Sequence, residues 1–276
     1  MPLTILKRLL GTLPNLLGIV VITFLLTRAL PGDPAAFFAG PAGTQEAVEQ
    51  VREKLGLNKS LPEQFVIYVK DLAAGNLGQA LSTGQPVRQE LLARLPASLE
   101  LVLASLVFAV AIAIPLGVAA AQRPNSWVDH ACRLVTTAGV SLPTFFTGLL
   151  LTYVLYFLLG WAPSPIGRLD PYLTAPATHT GMYTVDSLLA GDVKLFLASA
   201  SQLLLPVLTL GIFVLAPIAR MTRASMLQVL SADFVRTARA SGLSGTTVLV
   251  RYALRNALLP VVTMLGLHLP HLVGGS

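Results

Sequence analysis

Residues 220–260 read RMTRASMLQVLSADFVRTARASGLSGTTVLVRYALRNALLP and join two uncharged apolar runs. Ser231 is a residue type that caps the start of a helix, and Asp233 is favourable in the first turn that would follow. The pattern predicts a short helix that ends near Ser241. A connection of about forty residues is long for a simple surface loop, which favours an ordered segment.

The end of this short helix is also marked in the sequence. Gly242 can adopt the left-handed conformation after a helix, and Leu243 can then close a Schellman contact. Ser244 is placed to cap a second helix, which continues through Arg251 and Arg255 into the last apolar run. The sequence therefore predicts two helices separated by a glycine, outside the membrane, in a segment that we call the 220–256 loop.

The composition around this segment is that of a membrane protein. Of the 276 residues, 54 % are hydrophobic and 12 % are charged, whereas a soluble domain is about 25 % charged. These values exclude a soluble globular protein, and the high hydrophobicity excludes a disordered one. The single cysteine, Cys132, excludes an intrachain disulfide and a multi-cysteine metal cluster.

Five apolar runs are long enough to cross a bilayer, which requires about 20 residues. They are residues 9–27, 101–123, 134–161, 195–219 and 257–276. Prolines inside several runs favour kinks in a packed bundle. The first run is longer than the apolar part of a signal peptide, so we interpret it as a retained helix. The predicted fold class is all-α, a polytopic membrane helix bundle.

The charges predict the orientation of this bundle, because lysine and arginine concentrate on the cytoplasmic side. With the N-terminus in the cytoplasm, the inner segments hold ten of the 19 basic and two of the 13 acidic residues, an excess of +8. The outer segments then carry nine basic and eleven acidic residues, or −2. The net charge of +6 is therefore explained by topology, and no nucleic acid is needed to account for it.

The segment between the first two spans is too polar to cross the membrane. Two amphipathic helices are predicted there and are separated by Gly56 and Pro62. Their apolar positions are Val48, Val51 and Leu55 in the first and Phe65, Tyr68, Val69 and Leu72 in the second. We divide the chain into an N-terminal transmembrane helix (1–30), an external segment (31–96) and a transmembrane core (97–276), with a second external loop at 162–194.

The chain lacks the motifs of an enzyme or of a self-powered transporter. It has no Gly-Lys dipeptide and hence no P-loop, and neither His-Glu-x-x-His nor Gly-x-Ser-x-Gly occurs. No Asp, Glu, Lys or Arg lies at the centre of a span, where ion-coupled carriers normally need such a residue. The sequence favours a passive component of a powered machine. A self-contained channel or secondary carrier is the alternative, and a membrane enzyme or scaffold is disfavoured. No catalytic residue or cofactor is predicted.

One stripe of the last apolar run carries side chains that ligate transition metals. Met264, His268 and His271 recur at helical spacing on one face. The more conservative interpretation is that each histidine bonds a backbone carbonyl or lies near the outer interface, and we favour it. The three residues are weak candidates for a metal path.

The 220–256 loop resembles the cytoplasmic "EAA" loop in permease subunits of ABC importers, and most closely the dipeptide, oligopeptide and nickel branch. The resemblance rests on residues 233–243, DFVRTARASGL, where the branch has Asp-Tyr/Phe-Val-Arg-Thr-Ala-Arg-Ala-x-Gly-Leu. The general Glu-Ala-Ala is replaced, and only its last alanine and the glycine remain. The resemblance extends to PGDP at 31–34, LPEQ at 61–64, GNLG at 75–78 and SLPTF at 141–145.

This resemblance implies a type I ABC importer transmembrane fold with six spans, of which five are present, and hence a truncated product or an incompletely assigned gene. It implies ATP-driven import of peptides, or alternatively of nickel, across the bacterial cytoplasmic membrane. The implied partners are a second homologous permease, two cytoplasmic ATPases and an external solute-binding protein. The residues implied to couple to the ATPase are Asp233, Phe234, Arg236, Thr237, Ala238, Arg239, Gly242 and Leu243. Residues that bind the substrate are not predicted.

Overall fold

The computed structural model describes residues 2–29, 33–40, 44–80 and 83–275, and in this part of the chain it is helical, with no strand. A single bridge between Gln79 and Pro86 is the extended pairing present there. The helices are α1 (Pro2–Ala29), α2 (Pro34–Ala39), α3 (Gln45–Lys54), α4 (Leu61–Ala73), α5 (Val87–Gln122), α6 (Trp127–Ser141), α7 (Thr144–Leu151), α8 (Tyr183–Leu189), α9 (Val193–Leu230), α10 (Asp233–Ala240), α11 (Gly245–Thr247) and α12 (Arg255–Gly275). The all-α fold predicted from the sequence is confirmed.

Two compact units make up the chain, residues 1–93 and 94–276. In the first unit the predicted amphipathic helices are present as α3 and α4. Phe24 of α1 is buried and meets Phe65 and Tyr68 of α4, with ring centroids 5.2 Å and 5.7 Å away. Helix α4 starts with a capping box in which Glu63 accepts from the backbone N–H of Ser60. The apolar face of α4 therefore covers α1. Residues 31 and 32 of the PGDP segment lie outside the described residues.

The second unit is built on α5 and α9, which run in the same direction and pack closely through small residues. An added methyl group at Gly117 of α5 would lie 2.7 Å from the Cβ of Thr222 on α9. At Gly139 of α6 it would lie 2.9 Å from the Cβ of Ala216. The apolar core between these helices and α12 comprises Val102, Ala109, Ala113, Ala120, Cys132, Val214, Leu215, Ile218, Ala219, Val261 and Leu272.

The third predicted span differs from the expectation of one helix over residues 134–161. Helix α6 and the helix that begins with α7 meet at an angle of 109° around Leu142 and Pro143. Proline lacks a backbone N–H and disfavours a helical residue before it, so α6 ends at Ser141. The structure therefore has four helices that are long and apolar enough to span, or five when the bent pair is counted as one span.

Two of the spanning helices extend beyond the apolar runs that predicted them. Helix α5 has 36 residues and α9 has 38, which at 1.5 Å per residue exceeds the hydrocarbon thickness of about 30 Å. Both therefore project beyond a bilayer. The last helix begins at α11 and passes through a π-helical segment, Val248–Leu254, into α12, as the sequence predicted for the second helix of the 220–256 loop.

Candidate coupling site

Helix α10 begins where α9 ends, after a two-residue turn. Its N-cap is Ala232, which makes no side-chain cap. The prediction that Ser231 caps this helix is wrong. The Ser231 hydroxyl instead donates to the carbonyl oxygen of Gln228 at 2.8 Å, on the last turn of α9. Asp233 lies in the first turn of α10 as predicted. The turn is thus fixed by the end of α9 rather than by the start of α10.

The C-terminal end of α10 has the predicted geometry. Gly242 has a φ of +76°, in the left-handed region where glycine is favoured. The Gly242 N–H donates to the carbonyl of Arg239 at 3.0 Å, and the Leu243 N–H donates to the carbonyl of Ala238 at 3.4 Å. These two bonds define a Schellman motif. The next helix is capped by Ser244, whose hydroxyl accepts from the Thr247 N–H at 3.3 Å, also as predicted.

One face of α10 packs against the rest of the second unit. Val235 is fully buried and Ala238 is 6 % exposed. They belong to a second apolar cluster that joins the ends of α5, α9 and the last helix. Its members are Ala121, Met226, Val235, Ala238, Val248, Ala253 and Ala257. This cluster holds α10 against the ends of α5, α9 and the last helix, and we call this region the α10 end of the bundle.

The opposite face of α10 is free. The exposed residues of the predicted set are Asp233, Phe234, Arg236, Thr237, Arg239, Gly242 and Leu243. The Phe234 side chain is apolar, yet it is 44 % exposed. Arg236 lies 3.7 Å from Asp233, and such an exposed pair contributes little to stability. Of the eight predicted coupling residues, seven therefore lie on the accessible side and Ala238 lies in the core beneath them.

A cleft of about 460 Å³ adjoins α10. Its lining comes from the ends of α5 and α9, from α10 and from the start of the last helix. The lining residues are Gln122, Leu230, Arg239, Gly245, Thr246, Val248 and Leu249. The guanidinium of Arg239 makes no hydrogen bond or ion pair within the part of the chain that the structure describes. The α10 end thus presents an apolar side chain, a cleft and an unpaired cation together.

A buried ion pair near this site was not predicted from the sequence. Asp129 of α6 is fully buried, and its carboxylate accepts from both the Nε and the Nη2 of Arg223 on α9, the latter at 2.8 Å. The backbone N–H of Asn125 donates to the same carboxylate at 3.0 Å. The partners are 94 residues apart in the chain, so no local pattern links them. The one signal in the sequence was that acidic residues are rare in the segments predicted to be cytoplasmic.

Two buried carboxylates organise the opposite end of the second unit. Glu100 of α5 accepts from Arg168 at 2.8 Å and from the N–H and hydroxyl of Thr184, both at 2.6 Å. The Arg168 guanidinium lies 3.8 Å from the centre of the Tyr183 ring, a cation–π geometry. The loop predicted at 162–194 is therefore ordered and is tied to α5.

Asp186 is the second of these carboxylates and is 1 % exposed. Burial raises its pKa, but hydrogen bonds from the backbone and hydroxyl of Thr180 and from the N–H groups of Gly181 and His179 lower it, and the resulting pKa is below the usual value. The carboxylate is thus ionised at neutral pH and acts as the acceptor around which residues 179–181 fold.

The weak metal candidates lie on α12. Met264 and His268 are half-buried, and the side chain of His271 lies outside the described residues. Within the described part of the chain, no three histidine, cysteine, aspartate or glutamate side chains come together in a way that would hold a metal ion. Because the side chain of His271 is not described, the metal path along Met264, His268 and His271 stays a weak prediction.

Comparison with known proteins agrees with this arrangement. Residues 113–276 match the family described as binding-protein-dependent transport system inner membrane component, and residues 1–104 match the N-terminal region of the same kind of component. The chain thus belongs to the family of inner-membrane components of binding-protein-dependent transport systems. It is a permease subunit of the ABC importer type, a multi-pass transport component rather than an enzyme.

Individual relatives are similar over nearly the whole chain. The probable D,D-dipeptide transport system permease protein of Escherichia coli (strain K12) is 44 % identical over 94 % of this chain and 76 % of its own length. The di/tripeptide transport system permease protein of Pseudomonas aeruginosa (strain UCBPP-PA14) is 42 % identical over 99 % and 82 %. The glutathione transport system permease protein of Escherichia coli (strain K12) is 38 % identical over 99 % and 79 %.

Proposed function

We propose that this permease imports short peptides, and that the exposed face of α10 is the surface through which an ATPase drives it. The proposal that α10 contacts the ATPase rests on the packing of this helix, since one face is buried and the other is exposed. Val235 and Ala238 fix the helix to α9 and to the last helix, while Phe234 and Arg239 remain free. A partner that grips the free face would move the helices to which the other face is attached.

Peptides are the substrate class that the relatives favour. The three relatives named above are named for the transport of D,D-dipeptides, di- and tripeptides, and glutathione, which is itself a small peptide. Nickel, the alternative within the same branch, does not occur in the names of these three relatives. Import of a small peptide is therefore the substrate class to test first.

The proposed assembly places the α10 end in the cytoplasm, together with the N-terminus. This orientation follows from the excess of +8 on that side. The partners in the proposal are a second permease of similar fold, two cytoplasmic ATPases and an external binding protein. The chain contains no Gly-Lys dipeptide and thus no P-loop, which is consistent with ATP hydrolysis on separate subunits.

The decisive experiment combines ATPase co-purification with uptake. The Phe234→Asp variant places a charge on the free face without touching the second apolar cluster. We expect the permease to reach the membrane in normal amount, the ATPase to be lost from the purified complex, and ATP-dependent peptide uptake to fall with it. Radiolabelled dipeptide and nickel ions are tested in parallel, so that the substrate class is read in the same membranes.

The matched control is Trp127→Asp, which changes another exposed aromatic residue at the α10 end. Trp127 is 79 % exposed and lies outside the 220–256 loop. We expect this variant to retain the ATPase. If Phe234→Asp retained the ATPase and transported at the parental rate, α10 would not be the coupling surface. Uptake of nickel without uptake of peptide would refute the proposed substrate class.

A further inference from the structure

The carboxylate of Asp129 joins three segments at the base of the second unit. It lies in the first turn of α6, it receives two hydrogen bonds from Arg223 on α9, and it receives the N–H of Asn125 from the turn that follows α5. Arg133, one turn further along α6, lies 3.7 Å away and is half exposed. The two-point geometry with Arg223 fixes the rotation of α6 against α9 as well as their separation.

The turn that offers the third hydrogen bond has an unusual backbone. Asn125 has a φ of +61° and is the only non-glycine residue with a positive φ in the part of the chain that the structure describes. Such a conformation persists where the surroundings hold it. Here the Asn125 N–H donates to the Asp129 carboxylate, and the Ser126 hydroxyl caps α6 by accepting from the Asp129 N–H. The turn is shaped around this carboxylate.

The ion pair lies directly on the path from α10 to the bent span. Arg223 is about two helical turns before the end of α9, and Met226 on the next turn belongs to the cluster that holds α10. On the other side, α6 leads from Asp129 to the 109° bend at Leu142 and Pro143. A displacement of α10 is therefore passed to α9 through apolar packing and to α6 through the ion pair.

Stability alone does not call for charges at this position. A buried ion pair gains little over well-packed apolar residues, because both ions lose their hydration. What distinguishes the ion pair is its fixed geometry. Apolar side chains can slide past one another, whereas two parallel hydrogen bonds hold both partners in one relative orientation. Further along the same interface, α6 and α9 meet through Gly139 and through an Arg220 bond to the carbonyl of Thr136. Of these contacts between α6 and α9, the Asp129–Arg223 ion pair is the one nearest to α10.

We propose that Asp129 is a positioning residue for energy coupling, which makes α6 follow α9 when the ATPase moves α10. This inference rests on the proposed function of α10. It assigns a role to a residue that contacts neither the ATPase nor the substrate. Without the pair, α9 is still moved by α10 but the bent span lags behind, so that ATP is hydrolysed without transport.

The test uses the complete importer in proteoliposomes, with the Asp129→Asn variant. The side chain keeps its size and one acceptor oxygen but loses its charge. We expect ATPase co-purification and ATP hydrolysis at near the parental level, whereas peptide uptake per ATP hydrolysed falls by about tenfold, a typical coupling factor between sites. The control is Arg123→Gln, which removes an exposed charge from the same turn and should leave the uptake per ATP unchanged.

A double variant separates coupling from stability. Asp129→Asn with Arg223→Gln leaves no unpaired buried charge, so a purely structural role predicts that assembly and uptake both recover. The coupling role predicts that assembly recovers while the uptake per ATP stays low. Because the double variant relieves the unpaired charge, it remains informative if Asp129→Asn alone fails to assemble.

A distance measurement gives a readout that does not depend on transport. Spin labels at Leu134→Cys on α6 and Ala224→Cys on α9, both at exposed positions, are introduced in a Cys132→Ala background. In the parent we expect the same label distance with and without trapped nucleotide, and in Asp129→Asn a distance that changes on trapping. Unchanged distances together with parental uptake per ATP would overturn the inference. Failure of the proposed function is distinct, since it would show as retained ATPase in Phe234→Asp.

Discussion

At the scale of single residues, the glycine after α10 sets the position of this helix. The left-handed φ of Gly242 costs a side chain with a Cβ about 1–2 kcal/mol, and a β-branched residue tolerates it least. Apart from the two chain neighbours, no heavy atom of the described residues lies within 4 Å of the position that a Cβ would occupy. The cost of substitution therefore comes from the backbone alone.

We predict that Gly242→Val inserts normally into the membrane but loses ATPase co-purification and uptake, because the Schellman turn must rearrange and α10 is displaced. Asparagine is the non-glycine residue that adopts this conformation most readily, so Gly242→Asn should retain most of both activities. Equal behaviour of the two variants in the co-purification assay would show that the left-handed turn does not position α10.

At the scale of elements, helix contacts in the second unit depend on the absence of side chains. A methyl group at Gly117 would lie 2.8 Å from the backbone oxygen of Ala219, and the backbone of α9 cannot retreat without disturbing the core. We predict that Gly117→Ala destabilises the purified protein by about 1–3 kcal/mol, the usual cost of overpacking. The measurement is the thermal midpoint in detergent.

The control for this prediction is Gly266→Ala on α12. Apart from the backbone of α12 itself, no heavy atom of the described residues lies within 4 Å of the added methyl group there, and alanine is the better helix former by about 0.5–1 kcal/mol. The thermal midpoint should therefore stay the same or rise slightly. A drop of equal size in both variants would mean that the loss reflects the helices themselves rather than the contact between α5 and α9.

The loop on the opposite side from α10 should loosen in acid. The pKa of Asp186 is lowered in the folded protein, so the ionised form contributes stability above the unfolded pKa of about 3.9. That stability is lost as the pH falls through the lower, folded pKa. We predict that the protection of residues 179–186 against hydrogen exchange, measured relative to the intrinsic rate at each pH, stays high from pH 7 to about pH 4 and falls below it.

Two variants test the assignment of this pH response. Asp186→Asn removes the charge that accepts the four hydrogen bonds, so the protection of this loop should already be low at pH 7 and should change little as the pH falls. Asp170→Asn changes an exposed carboxylate of the same loop and should behave as the parent. An acid response that survives in Asp186→Asn would place the responsible group elsewhere.

At the scale of the whole molecule, local signals in the sequence were sufficient for much of the fold. Gly242 and Ser244 each determine a turn through their own backbone or hydroxyl, so their roles were predicted correctly. Ser231 was assigned wrongly, since a serine between two helices can bond to either one. The 109° bend at Pro143 was not predicted, because the uncharged run is continuous and a proline in lipid is compatible with both a kink and a break.

Contacts between segments that are distant in the chain could not be predicted from the sequence alone. Asp129 and Arg223, like Glu100 and Arg168, come together only when α5, α6, α9 and the loop before α8 have packed. The composition showed only that acidic residues are rare here. The face of α10 that we propose for coupling could be predicted from the motif, whereas the ion pair that we propose connects it to the bent span required the structure.

The orientation of the whole molecule is the last prediction. With a net charge of +8 on one side and −2 on the other, the positive-inside rule places the 220–256 loop in the cytoplasm and the 162–194 loop outside.

Cysteine labelling tests this orientation. The native thiol of Cys132 is 1 % exposed, so it should not react from either side of the membrane. Thr246→Cys and Tyr172→Cys introduce thiols at two exposed positions, one in each loop. In intact cells a membrane-impermeant maleimide should label Tyr172→Cys alone, and Thr246→Cys should react only after the membrane is opened. Labelling of Thr246→Cys in intact cells would contradict the predicted topology. The exposed face of α10 would then lie outside the cell, where a cytoplasmic ATPase could not bind it.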